Sequence, residues 1–443
     1  MKIAIIGTGI SGLSAAWALL ETADVTVFEK RDRIGGHSCT KTIDYDGTPL
    51  SVDVGFIVYN GRNYPNLIGL FDALNVETQP ADMSFAVSNP LGYEWSSNPS
   101  GLFAWKRNLL KPRYYKFLRT ILQFNDTARQ ELADGTLTDS TLRLWLDRHK
   151  FDKDFVDNYI RPMGAAIWST PPSEILDFPA LSFFNFFENH CLMHRERPSW
   201  RTVTGGSQNY VIRLGEAIGD RIRTEVPIRS VSRAGGKISV QASTGSSELF
   251  DHVIMASHSD QSLAMLDESF EDRRFLLKSV RYRPNTIYLH RDPSLMPKRK
   301  AAWAAWNVME TQSGQQDEVC LTYWMNVLQG QPKDKPIFVT LNPPTPPASD
   351  KTFEQFEFAH PQFDRAAEAA VRELKRTNGN NGLWMSGAWM GSGFHEDGLK
   401  SGLEAALSLG GTVPWQAQNI SPKTEIMADS DLVSLNKLAQ PNG

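Results

Sequence analysis

The sequence predicts an α/β fold in which one domain is assembled from separate stretches of chain. Three observations predict it: a strand, glycine turn and helix at the N-terminus, a second strand ending in an acid, and a late glycine-rich turn opening a helix. The chain has 443 residues, more than one hydrophobic core usually serves, so two lobes are expected. Hydrophobic residues make up 41% and charged residues 22%, an ordinary balance for a globular protein. The formal net charge of -4 implies no general affinity for nucleic acid. No run approaches the roughly 18 apolar residues of a membrane span.

The N-terminal residues KIAIIGTGISG read as a buried strand followed by G-x-G-x-x-G at Gly7, Gly9 and Gly12. Ile10, Leu13, Trp17 and Leu20 continue at helical spacing. The apolar start could pass for a signal sequence, but its glycines have a structural use and no small-residue cleavage site follows. A second strand, DVTVFEK, carries Glu29, 22 residues after Gly7. That is the spacing of a Rossmann-like dinucleotide fingerprint. Gly7 makes the tight turn, and Gly9 lets a pyrophosphate approach the helix N-terminus at Ile10 and Ser11. Gly12 allows close helix–strand packing. Glu29, followed by Lys30, can accept from both ribose hydroxyls.

The next run, EKRDRIGGHS, separates two dinucleotides. Gly35 and Gly36, beginning six residues after Glu29, are not needed for NAD. They resemble the extended fingerprint of the flavin amine oxidase and carotenoid desaturase superfamily, where the chain crosses beside the FAD diphosphate. His37 stands where amine oxidases often carry Arg, and its role is open between a phosphate or flavin contact and a structural one. FAD is too long for one βαβ unit, and in this superfamily a late segment returns to hold the ring. GLWMSGAW at 382–389 reads as a buried strand, and GSGFHEDG at 391–398 leads into a helix. The resemblance places Gly387, His395, Glu396, Asp397 and Gly398 beside the flavin, with the helix N-terminus facing charge that develops on reduction. Val226 in RIRTEVPIRSV resembles the residue that meets adenine through its backbone. Gly55 and Phe56 would approach the ring, with Asp53 ordering their turn.

These pieces predict a discontinuous FAD-binding domain of amine oxidase type over 1–75, 200–275 and 380–412. An α+β substrate domain would occupy 76–199, read as largely helical and aromatic, and 276–379, with strands at PNTIYLH, VCLTYWMNV and PIFVTL. Residues 413–443 read as an irregular tail. No second G-x-G-x-x-G marks an NAD(P)H domain.

Several stretches go further: SVDVGFIVYNGRNYPNLIGLFDALNV, DMSFAVS, PSWRTVTGGSQNYV, LMPKRKAAWAAWN and FHEDGLKSGLEAA. Together they resemble the flavoprotein family related to the N-terminal domain of plant cyclopropane fatty acid synthases. Bacterial members are associated with fatty-acyl methyltransferases, including the furan fatty acid pathway. The resemblance implies a lipid or fatty acyl substrate, its dehydrogenation, and such a methyltransferase as partner. An amine oxidase with a cage of Trp303, Trp306 and Trp324 is the competing reading, and a non-catalytic FAD-binding partner of a methyltransferase is a third.

Candidates for a catalytic base are Tyr59, His290, Tyr323 and His395; spacing singles out none. His190 and His194 stand four residues apart, with no third ligand to make a metal site. Cys39, Cys191 and Cys320 are scattered, which fits a reducing, cytoplasmic setting without disulfides. Cys39 and Cys191 do not match a flavin-linking position, and the late motif lacks the Cys that monoamine oxidases use for covalent attachment, so FAD is expected to be noncovalent. Phe183, Phe184, Phe186 and Phe187 fit either a core or an apolar tunnel. In 105–124, Tyr114, Phe117, Leu118, Ile121 and Leu122 form an apolar stripe among six basic residues. That pattern fits a core helix with a solvated basic face, or peripheral contact with the inner membrane face.

Overall fold

Ile3 and Ile5 pack to one side of the first strand and Ala4 and Ile6 to the other, and all four are buried. A strand covered on both faces reads as a continuous apolar run, which is how Lys2–Ile6 appears in the sequence. The computed structural model describes residues 1–89, 93–137, 140–168, 170–194, 196, 198–309, 320–420 and 422–423. In it this strand is the centre of a five-stranded parallel sheet ordered Ile222–Arg223, Asp24–Phe28, Lys2–Ile6, His252–Met255, Leu383–Met385. Early, middle and late chain segments therefore share one sheet.

Helices Ile10–Leu19, Gln208–Ile218 and His395–Ser408 form a core with one face of that sheet. The first and last lie so close that a Cβ on Gly402 would stand 2.2 Å from the Ser11 carbonyl oxygen. The other face packs against the antiparallel strands Ile228–Ala234, Lys237–Ala242 and Ser247–Phe250 and the helix Arg365–Thr377.

A second sheet has seven strands, ordered Thr352–Pro361, Tyr282–His290, Phe338–Leu341, Cys320–Trp324, Trp306–Met309, Phe85–Ser88, Glu94–Ser96. It is antiparallel except between Trp306–Met309 and Phe85–Ser88. Side chains of helices Pro112–Asp134, Leu142–Arg148, Arg161–Trp168 and Ala180–Asn189 join its main core.

Four details depart from the sequence reading. The stretch read as largely helical supplies two strands to the large sheet. The ten-residue strand Thr352–Pro361 went unread; Phe356, Phe358 and His360 alternate along it and so share a face. The strand read over 382–389 is only Leu383–Met385, because a 3-10 turn follows at Ala388–Met390. The start of the expected tail is irregular but packed. Trp415 stacks on Trp17 at 5.7 Å, and the Asn66 side chain bonds the backbone of Gln418 at both N–H and C=O. Residues 424–443 lie outside the described ones.

Candidate functional site

A cavity of about 1610 Å3 runs between the two sheets, from Glu29 and Val226 at one end to Leu122 at the other. Pockets for a single small ligand are roughly 300–1,000 Å3, so this one has room for a large cofactor and a substrate together.

Gly7, Gly9, Ile10 and Ser11 line the first end. Gly9 is the N-cap of helix Ile10–Leu19, and no side chain caps that helix. Its first-turn N–H groups are thus left for an anion. A Cβ on Gly9 would meet no atom within 4 Å, whereas one on Gly12 would stand 2.0 Å from the Gly7 carbonyl oxygen. Gly9 therefore faces open space and Gly12 is a packing residue off the cavity. Glu29 lines the wall and accepts from Thr8 N at 3.2 Å, from the Thr8 hydroxyl, and from Arg31 N at 3.0 Å. A carboxylate has about four lone-pair sites, so acceptor capacity for a ribose hydroxyl remains. Lys30 lines the rim, and Val226, whose N–H bonds the Glu29 carbonyl at 2.9 Å, closes this end.

The middle is a crossing of two glycines. Gly36 has φ +58°, and a Cβ there would stand 2.9 Å from Gly9 Cα. Gly35 turns away, toward Val211. His37 lines the cavity in a wall with His258 at 5.4 Å, Phe358 at 5.1 Å and His360 at 6.1 Å between ring centres. Burial, reinforced by the neighbouring histidines, holds His37 well below the usual imidazole range; burial brings His360 down to about 4. The buried Nε2 of His37 has no hydrogen-bond partner among the described residues.

Beyond the crossing, Gly55, Phe56, Gly387 and His395 line the cavity. Phe56 and His395 stack at 3.8 Å. His395 Nε2 lies 2.8 Å from the Tyr210 hydroxyl, and burial lowers its pKa to about 3, so the imidazole is neutral. Asp53 holds the supporting turn: it accepts from Thr40 Oγ1 at 2.5 Å, Ser207 N at 2.9 Å and Gln329 Nε2 at 2.6 Å. Burial raises its pKa to about 6.

The acids expected beside the ring do structural work instead. Glu396 accepts from Asn66 N at 3.0 Å, Asn66 Nδ2 at 2.7 Å and Leu67 N at 2.9 Å, capping helix Pro65–Ala73. Asp397 accepts from Ser392 N at 3.1 Å and Phe394 N at 3.0 Å, tying down its own loop. Gly398 packs toward Ile10. None of the three lines the large cavity. The polarity before that helix secures the loop, and Gly387, Gly393, Phe394 and His395 reach the cavity.

Of the four base candidates, Tyr323 and His395 line the cavity. Tyr59 is buried edge-on against Tyr64 and Phe71. His290 lies within the large sheet, 2.7 Å from Thr340 Oγ1. Burial raises the Tyr323 phenol above its usual range. The three-tryptophan cage does not form: Trp306 lines the cavity, while Trp303 and Trp324 pack edge-on against each other at 5.3 Å away from it. Phe183, Phe184 and Phe187 are core, and Phe186 alone of the four reaches the cavity, stacked on Phe394 at 4.8 Å. His190 contacts the Phe186 carbonyl and His194 pairs with Glu188. Among the described residues no cluster suits a metal ion.

Sequence reasoning missed Thr8, His258, His360 and Phe394. Thr8 sits inside the glycine motif and was readable; His258 and His360 meet His37 only through folding.

The chain belongs to the flavin-containing amine oxidoreductase family, whose model matches residues 10–287. The curated relatives it matches include tryptophan 2-monooxygenase of Pseudomonas savastanoi, 25% identical over 63% of this chain and 56% of that protein. The chain thus spans little more than half the length of that relative. Cyclohexylamine oxidase from Brevibacterium oxydans shares the fold with a TM-score of 0.64 at 18% identity, covering 92% of this chain and 98% of that one. A fatty acid isomerase from P. acnes does so with a TM-score of 0.64 at 13% identity, covering 91% and 97%. The cofactor is FAD. The residues fit it: an uncapped helix N-terminus for the diphosphate, Glu29 for the ribose, the Gly9–Gly36 crossing between, and the Phe56–His395 end for the ring.

Proposed function

We propose that the protein is an FAD-dependent dehydrogenase acting on the acyl chains of lipids. The observation that carries this is the lining of the cavity beyond Phe56. It comprises Phe85, Leu118, Ile121, Met163, Trp306, Tyr323 and similar apolar or aromatic side chains. The lining carboxylates are Glu29, Asp126, Glu196, Asp260 and Glu357. Glu29 belongs to the cofactor end, and the other four are exposed. Among the described residues no acid stands in the buried arm to hold an ammonium group, and burying an unpaired cation is costly. An alkyl chain has no such need.

The flavin supplies a hydride acceptor. Removal of two hydrogens leaves one proton to be placed elsewhere. Burial holds His395 neutral and Tyr323 protonated. These two groups therefore shape and dry the site, and neither is tuned to take up and hold a further proton at neutral pH. A fatty-acyl methyltransferase would supply methylated chains, so an association with one belongs to the same proposal.

The test is anaerobic. The flavin-loaded protein is mixed with phospholipids bearing unsaturated or methyl-branched chains, and with amines in parallel. Bleaching of the flavin by lipid, with a product lighter by one hydrogen pair, is expected. Bleaching by amines alone rejects the proposal in favour of amine oxidation. Bleaching by neither favours a non-catalytic partner of a methyltransferase.

A further inference from the structure

A basic stretch of the chain lies beside Leu122, which both lines the cavity and is exposed. Between Glu94 and Asp126 the chain has no acid and carries Lys106, Arg107, Lys111, Arg113, Lys116 and Arg119. This is a local +6 in a chain of net charge -4. Arg113 and Lys116 pair with Asp154 and Asp152. Lys111 and Arg299 flank the Trp105 ring at 4.5 Å each. Lys106, Arg107 and Arg119 are exposed, and Lys298 and Lys300 are exposed on the adjoining loop.

Large apolar side chains stand among these cations. Leu110 is 87% exposed, Leu122 53%, and Leu109 and Tyr115 48% each. Tyr115, Arg119 and Leu122 follow one another at helical spacing, so they fall on one stripe. Tyr114 and Phe117, read with them as one apolar face, are instead buried in the core. That divides the helix Pro112–Asp134: one side holds the fold and another presents leucine, tyrosine and arginine outward. On the same helix, Leu118, Ile121 and Leu122 line the cavity, with Leu102 from the preceding loop.

We infer that residues 105–122 dock the protein onto an anionic lipid surface, with the cavity mouth at Leu118–Leu122 turned toward that surface. Exposed leucines enter the boundary between headgroups and acyl chains, and the surrounding lysines and arginines meet lipid phosphates. An acyl chain could then pass from the membrane into the cavity without crossing water. This last point rests on the acyl-lipid reading; the docking itself does not.

The test uses the full-length, flavin-loaded protein with saturated-chain vesicles, so that no turnover is involved. Flotation with vesicles of phosphatidylcholine alone is compared with vesicles also containing phosphatidylglycerol. Binding only to the anionic vesicles, weakened by added salt, is expected. A Lys106→Glu/Arg107→Glu variant and a Leu109→Glu/Leu110→Glu variant should each lose roughly tenfold or more in vesicle affinity, with the flavin spectrum unchanged as the check on folding. Absence of wild-type binding to anionic vesicles, or variants that bind as well as wild type, overturns the inference. Retention on a soluble polyanion such as heparin without vesicle binding overturns it in favour of an acidic soluble partner. Vesicle binding without lipid oxidation leaves docking standing and removes the proposed activity.

Discussion

Glu29 and Glu396 are both buried acids at the edge of a glycine-rich turn, and they do different things. Glu29 faces the cavity with its carboxylate oriented by Thr8 and Arg31. Hydrogen bonds to a charged group contribute about 1.5–3 kcal/mol. Glu29→Ala should therefore weaken FAD binding about ten- to a hundredfold, measured by flavin fluorescence titration of the stripped protein. An unchanged dissociation constant would remove Glu29 from the ribose site. His37 shows the limit of reading single positions. The sequence placed it beside two glycines but left its role open. The structure surrounds it with His258, Phe358 and His360, contributed by segments more than 200 residues away.

At the scale of elements, the helix His395–Ser408 is placed by packing and by its acids together. Glu396 reaches across to Asn66 and Leu67, so it joins the late helix to Pro65–Ala73. Glu396→Ala leaves those N–H groups buried without an acceptor. The cost is about 2 kcal/mol or more, to be read from denaturant unfolding at saturating FAD, with an unaltered flavin spectrum in the folded protein. Loss of flavin at unchanged stability would instead return Glu396 to the cofactor site. The pattern of a glycine run and two acids marked the right loop, and hydrogen-bond partners far along the chain decided which residues face the cavity. The alternation of the strand Thr352–Pro361 went unread, and its role in the cavity wall required the sheet.

At the scale of the whole molecule, burial of imidazoles sets a pH dependence. His190 and His360 are lowered to about 4 and His395 to about 3. Unfolded, they titrate near about 6.5. Between those values the unfolded chain binds more protons, so stability falls as pH is lowered through that window. Asp53 acts oppositely, since its raised value of about 6 makes the folded state bind the extra proton below neutrality. Burial also raises Glu396 and Asp397 but lowers His37, His252, His258 and His290 as well, so the histidines outnumber the opposing carboxyls. The thermal midpoint should be lower at pH 5 than at pH 7 at equal flavin saturation; an equal or higher midpoint at pH 5 would contradict the burial of these rings.

The sequence by itself determined the dinucleotide end: a glycine turn, a helix and an acid are local in the chain, and their spacing alone implies an anion at a helix N-terminus. It also marked the late loop and the basic helix, because composition and period are local properties. Only the tertiary structure decided which residues share the cavity, since its wall is drawn from both sheets and from both ends of the chain. Tyr59 and His290 fell away from it, Tyr323 and His395 came to it, and Glu396 and Asp397 became caps. Buried backbone N–H groups need acceptors, and folding brought Glu396 to those of Asn66 and Leu67, while Asp397 meets those of its own loop.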